Sequence, residues 1–291
     1  MLKSGTEIAS KLVRAGYLVI ARCANLASSF LLFAILVRIL PRSEIDLLAL
    51  GLSWLVVLSV AFDFGVNEFF VRVIASNQNS SAHNLKIGLL TKTVLMALVS
   101  ILFLTVSSII YSDSHKIILL VGTIMAGATR SICDFSESAM IAAGDLRAVC
   151  IFALAQAILT LLTGVVVAHW MIAEAAPILF TQAIVCGVLA IPRLARLGCT
   201  GFRKDEIRHG IQQTPHLLRQ CFPFGTMSVT ASVSVAMPVI AMSLTPSLMS
   251  GMAPMQAAQR IWSTILALGQ GPYTRLYANL SRGHMAQPTK T

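Results

Sequence analysis

Charge is scarce in this sequence: only 12% of its 291 residues are Asp, Glu, Lys or Arg, against about 25% in soluble domains. With 56% hydrophobic residues and a mean hydropathy of +0.78, that scarcity excludes an ordinary soluble domain. Negative charge is scarcest, with 12 Asp and Glu against 22 Lys and Arg, a net charge of +10. The basic residues fall between apolar segments rather than on one polar face. They therefore point to topology and anionic membrane lipids, not to a nucleic-acid partner. The six cysteines form no CxxC pair and show no metal-ligand spacing, so neither a disulfide framework nor a metal site is expected. No GxSxG, HExxH, P-loop or dinucleotide fingerprint is present, so no enzyme activity and no cofactor are expected. The six histidines fall in predicted loops or at predicted helix ends, which disfavours a histidine proton relay.

What the chain does have is apolar runs of the length needed to cross about 30 Å of hydrocarbon. They cover 16–37, 47–62, 87–111, 117–143, 148–169, 176–191, 223–244 and 249–268. The runs are continuously apolar and lack two-residue alternation, which predicts helices rather than a barrel. The fold class is an all-α membrane protein, a polytopic helical bundle of about eight spans. Lys3, Lys11 and Arg14 resemble a signal-peptide head, but the run after them is long, contains Arg22 and Asn25, and reads as a retained first span.

The chain divides around its one long polar interval. Residues 1–192 form a six-helix lobe, 193–222 a basic linker, and 223–291 an incomplete second lobe of two helices and a polar tail. The linker carries Arg193, Arg196, Arg203, Lys204, Arg208 and Arg219. Placing the N-terminus inside puts nearly all the basic residues on the inner side and leaves only Arg38, Arg42 and Lys116 outside. That asymmetry predicts both termini in the cytoplasm. A weak internal repeat is also visible: Arg14 and Pro41 flank the first span as Arg219 and Pro246 flank the seventh, at the same separation.

Charge inside a span needs a reason, since each Arg or Asp at the centre costs about 2.5–3.5 kcal/mol on insertion scales. Arg22 lies two turns into the first span, with Asn25 on its face. Arg130, Asp134 and Glu137 share one stripe of the fourth, and Arg260 falls near the middle of the eighth. If these face a common cavity, the surplus positive charge suits an anion, because guanidinium groups bind phosphate oxygens in bidentate fashion. Blander readings stay open: Arg130 and Asp134 pairing along their own helix, and Arg22 snorkelling to the interface. Asp63, Glu68 and Arg72, after the second span, are gate candidates or a solvated helix end.

The segment Leu217-Leu218-Arg219-Gln220-Cys221-Phe222-Pro223-Phe224-Gly225, with Ala257-Ala258-Gln259-Arg260-Ile261 after it, resembles the start of the second lobe of polysaccharide flippases. These are the Wzx-type members of the multidrug/oligosaccharidyl-lipid/polysaccharide exporter superfamily. Phe64-Gly65 ahead of a helix bearing Arg72 agrees in style. The resemblance implies alternating access between two lobes, moving polyprenyl-pyrophosphate-linked oligosaccharide across the bacterial inner membrane for surface polysaccharide biosynthesis. It also implies cavity roles for Arg22, Arg260 and Arg130, and a polysaccharide polymerase and chain-length machinery as partners. Family members carry more spans than the eight predicted here, so a truncated second lobe is expected. The alternatives are a drug/cation antiporter of the same superfamily, a non-transporting remnant, and a membrane-embedded polysaccharide enzyme.

Overall fold

The computed structural model describes residues 2–76, 81–111, 113–170, 174–199, 201, 204–245 and 251–259. The side chains of 2–15, 75, 76, 81, 82, 204, 205, 209, 227, 231 and 235 are not part of that description. The described residues form eight helices and no strand: α1 (Leu2–Ile39), α2 (Arg42–Asp63), α3 (Val66–Ser76), α4 (Ser81–Ile110), α5 (Ser114–Ala143), α6 (Leu146–Trp170), α7 (Ala175–Arg196) and α8 (Lys204–Ser243). Six of them, α1, α2, α4, α5, α6 and α7, are long and apolar enough to cross a membrane. The protein is an all-α polytopic membrane protein.

Its surface agrees with that class. Leu98, Ile101, Leu102 and Ile109 on α4, Ile158 and Leu162 on α6, and Ile184 and Val188 on α7 all point outward. An aqueous surface would penalise so much large apolar area, whereas hydrocarbon does not. Between helices the contacts use small residues. Along α1 and α6 these include Ala21, Ala153, Ala157 and Gly164, and Ser28 Oγ donates to the Ala157 carbonyl at 2.7 Å. Such residues let helices approach closely where no hydrophobic force drives association. The α5 helix is the hub, packing against α7, α2 and α3.

Local chemistry sets the ends. Asp113 caps α5 by accepting from the His115 amide at 3.0 Å. Gly144 ends it in the left-handed region (φ +87°), with amides turned back to the Ile141 and Met140 carbonyls. Asp145 then receives the Ala148 amide at 3.3 Å and opens α6. The helices alternate up and down between two rims. At one rim Arg196 pairs with Asp145 at 2.8 Å and Lys86 with Glu206 at 3.1 Å, tying the ends of α7 and α5 and the starts of α4 and α8. At the other, the Ala175 amide donates to Glu44 Oε2 at 2.9 Å, and Tyr111 and Ser243 hydroxyls lie 3.1 Å apart.

The region expected as a linker is mostly helical. Arg193 and Arg196 belong to the last turn of α7, and from Lys204 the chain runs as a single 40-residue helix through Pro215, Pro223 and Pro238. His209 and His216 therefore lie within a helix rather than at its edge. The expected seventh span is the second half of α8. Of the expected eighth, 252–259 is helical and meets α2 where Ser53 Oγ donates to Gln256 Oε1 at 2.9 Å. Its remainder, including Arg260, and the polar tail lie outside the described residues.

The tightest junction joins α8 to the turn between α2 and α3. Phe64 and Gly65 both take positive φ there (+38° and +77°), and a Cβ on Gly65 would stand 2.8 Å from the Gly225 amide nitrogen and 2.9 Å from the Cys221 carbonyl oxygen. A Cβ on Gly225 would in turn meet the Phe64 carbonyl oxygen at 2.7 Å. Gly144 offers a control, because it shares the positive φ but faces open space. Gly144→Ala is expected to cost only the left-handed strain, about 1–2 kcal/mol. Gly65→Ala should cost about twice that or more, since backbone must also move. Thermal unfolding of the two variants in one detergent checks this; equal losses would mean the junction is looser than described.

Candidate functional site

Two charge networks lie inside the bundle, on opposite faces of α5. Cys133, Asp134 and Glu137 look toward α1 and α7, while Phe135 looks toward α3 and α4, as the 100° step of a helix requires.

The first network joins four helices. Arg22 Nη2 of α1 lies 3.3 Å from Glu137 Oε1 of α5, with side chains 34% and 9% exposed. Glu137 is also within electrostatic reach of Asp134, Arg193 and Arg130. Arg193, only 1% exposed, donates from Nη2 to Gln156 Oε1 of α6 at 2.9 Å and from Nη1 to the Cys133 carbonyl at 3.4 Å. Its guanidinium sits 5.4 Å from the Phe152 ring centroid, a cation–π arrangement, and its Nε has no hydrogen-bond partner among the described residues. Cys133 Sγ donates to the Cys186 carbonyl at 3.1 Å, closing the contact between α5 and α7. Glu137 is thus paired with Arg22, with the Arg193 and Arg130 guanidiniums and the Asp134 carboxylate acting on it electrostatically.

The second network lies where α2, α3, α4 and α5 meet. Lys92 of α4 is fully buried and donates from Nζ to Asp63 Oδ1 and Asn67 Oδ1, both at 2.8 Å. The Phe135 ring lies 5.5 Å away. Asp63 also receives the Asn67 amide at 3.3 Å, so one carboxylate caps α3 and neutralises the lysine. Glu68 of α3 follows within electrostatic reach of Asp63 and Lys92. Although the Glu68 side chain remains exposed, the protein packed around it and then the Asp63 carboxylate push its carboxyl up to about 7. On the facing side of α8, burial raises the Cys221 thiol to about 12, with Asp63 and Glu68 adding to the effect.

The residues expected from sequence fall out unevenly. Arg22 and Glu137 meet, Arg130 and Asp134 join them electrostatically, and Asn25 is half-buried one turn beyond Arg22. The α5-internal pair of Arg130 and Asp134 is not formed: no ion pair links them, and Glu137 finds its partner on α1 instead. Asp63 pairs with Lys92 and acts electrostatically on the exposed Glu68, whereas Arg72 is exposed on α3 and no ion pair joins it to them. Arg260 lies outside the described residues. Lys92, Arg193, Gln156 and Asn67 were not expected. Lys92 is the only charged residue in the run 87–111, a signal that was present in the sequence. Arg193 follows Cys186 and Ala190 at helical spacing and so continues the buried face of α7.

Among the described residues no group of His, Cys, Asp or Glu could hold a metal ion. A polytopic helical membrane protein with charge networks joining its helices is the class that fold and site define. Comparison with family models, curated proteins and solved structures finds no match for the chain.

Removing one member of a buried ion pair leaves the other uncompensated, at about 3–5 kcal/mol. Lys92→Met and Asp63→Asn are each expected to lower stability by that order. The double variant should lose clearly less than the sum of the two. Unfolding in detergent measures the cycle; simple additivity would show that the 2.8 Å contact carries no coupling.

Proposed function

We propose that the protein is a transporter that flips polyprenyl-pyrophosphate-linked oligosaccharide units across the bacterial inner membrane for surface polysaccharide assembly. The observation that carries this reading is the positive excess around Glu137: Arg22 pairs with it, and buried Arg193 and exposed Arg130 act on it electrostatically, against Asp134 alone. Arg193 and Arg22 are engaged by Gln156 and Glu137. Arg130 is exposed and makes no hydrogen bond or ion pair among the described residues, which leaves its fork for a phosphate oxygen pair. The likeness of 217–225 and 257–261 to flippase second lobes supports the same class of cargo. The carboxylates Glu137, within α5, and Asp63, at the end of α2, are each matched by a cation, which disfavours a drug/cation antiporter.

In this reading the Arg196–Asp145 and Lys86–Glu206 rim is cytoplasmic, because basic residues gather there. Lipid-linked oligosaccharide and membrane lipids are the partners, with a polysaccharide polymerase and chain-length machinery acting on the delivered units. The chain performs no covalent chemistry of its own.

In a strain whose surface glycan depends on this protein, Arg130→Gln is expected to lower export about tenfold, equivalent to about 1.4 kcal/mol. Arg130→Lys should recover part of it, since charge survives but bidentate geometry does not. Immunoblotting verifies that both variants reach the membrane. Undiminished polymer in Arg130→Gln would overturn the proposed cargo site.

A further inference from the structure

The two halves of α8 run in different directions. Near its start, Lys86 of α4 holds Glu206 at 3.1 Å, and a Cβ on Gly210 would stand 2.7 Å from Leu90 Cδ1. Farther on, Cys221 and Gly225 pack on Gly65, two residues after the Asp63 that Lys92 holds. Leu90 and Lys92 are separated by about 3 Å of rise along α4, whereas Gly210 and Cys221 are about 16 Å apart along α8. The segment 206–222 therefore runs across the rim of the bundle rather than into it. From Gly225 to Ser243 the helix keeps pace with α4 from Lys92 to Tyr111, about 27 Å against about 29 Å, and the Tyr111 and Ser243 hydroxyls meet at the far end. Pro223, which removes one helical hydrogen bond, falls at the change of direction.

Around its axis this first half has three sectors. Gly210, Thr214 and Cys221 are buried and, with Leu217, turn to the bundle. Ile207, Ile211, Pro215 and Phe222 are exposed and share an arc of about 80° beside that face. Arg208 and Arg219, also exposed, fall about 20° from each other on the arc beyond. Among the described side chains of 206–222 the only carboxylate is Glu206, and Lys86 engages it. A helix surrounded by water gains nothing from an exposed apolar arc, and a spanning helix gains nothing from two arginines on one edge. An apolar arc bordered by a cationic one suits a helix lying where acyl chains give way to headgroups.

We propose that the exposed face of 207–222 docks on the anionic phospholipid headgroups of the adjoining leaflet. Ile207, Ile211 and Phe222 sit at the acyl boundary, and Arg208 and Arg219 take the phosphates, where a guanidinium binds two oxygens at once. The two arginines stand about 16 Å apart along the helix, so a surface of repeated headgroups meets both together, whereas one phosphate ion cannot. The apolar arc running beside the cations favours a lipid surface over an acidic protein, which would match the charge alone. Docked in this way, the segment ties the base of the spanning half of α8 to the leaflet, with Pro223 as the joint. This goes beyond the transport reading, because it depends neither on the cargo nor on Arg130.

The full chain in lipid nanodiscs, with a single chain in each disc, supplies the test. Hydrogen exchange of the backbone amides in 206–222 is followed in phosphatidylcholine and in phosphatidylcholine mixed with phosphatidylglycerol. The anionic lipid should slow exchange in this segment and leave the spanning half of α8 little changed. Arg208→Gln and Arg219→Gln should each give back about fivefold of that slowing, the share of one cation at an anionic surface. High salt should remove it. In phosphatidylcholine alone both variants should match the wild type, which separates docking from a fold damaged by the substitution. Equal exchange in the two lipids, or slowing that survives the double variant, would overturn the proposal. So would slowing reproduced by inorganic phosphate in neutral discs, which would mean a free-anion site. Slowing seen only when chains share a disc would seat a second copy on this face and overturn it equally. Glycan export by Arg130→Gln reads the transport proposal separately, so each can fail without the other.

Discussion

A cation held in an apolar interior must be met by an anion or a strong acceptor, and here each partner comes from a different helix. Arg22 of α1 meets Glu137 of α5, Lys92 of α4 meets Asp63 of α2, and Arg193 of α7 meets Gln156 of α6. Apolar packing alone specifies helix neighbours weakly in a bilayer, because lipid tails offer the same contacts. A misplaced neighbour, by contrast, would strand a charge at a cost of several kcal/mol. The ion pairs thus act as registration points, and small-residue contacts such as α1 on α6 fill in between them.

The α5 helix carries both networks because its stripe of charge and its aromatic stripe lie on different sides. Glu137 turns to α1 while Phe135 turns to Lys92. Changes on one face therefore meet the other across a single helix. At the rim, the Asp63 carboxylate ends α2, starts α3 and holds Lys92, so the cluster and the turn against α8 are one structural unit.

Much of this was legible in the sequence, because hydrophobic runs are long, local signals. The first six spans fall where the runs place them. Lys92 escaped notice because one ammonium barely dents the mean hydropathy of its run. Arg193 was misassigned because an arginine at the edge of an apolar run reads as interface until the periodicity of α7 is followed through it. The continuity of α8 was hidden by its polar first half and its prolines, which tertiary contacts let a helix absorb. The Arg22–Glu137 pair could be named residue by residue but not joined. It spans distant segments, whereas the local i, i+4 spacing favoured Arg130 with Asp134.

The most direct test of charge matching between helices is a charge exchange at that pair. Arg22→Glu alone puts two carboxylates together in the bundle and should reduce folded protein in the membrane sharply, and Glu137→Arg alone should do the same. The double exchange should restore most of it, measured as monodisperse protein extracted in mild detergent. Failure of the exchange to recover either single variant would contradict the pairing on which the account rests.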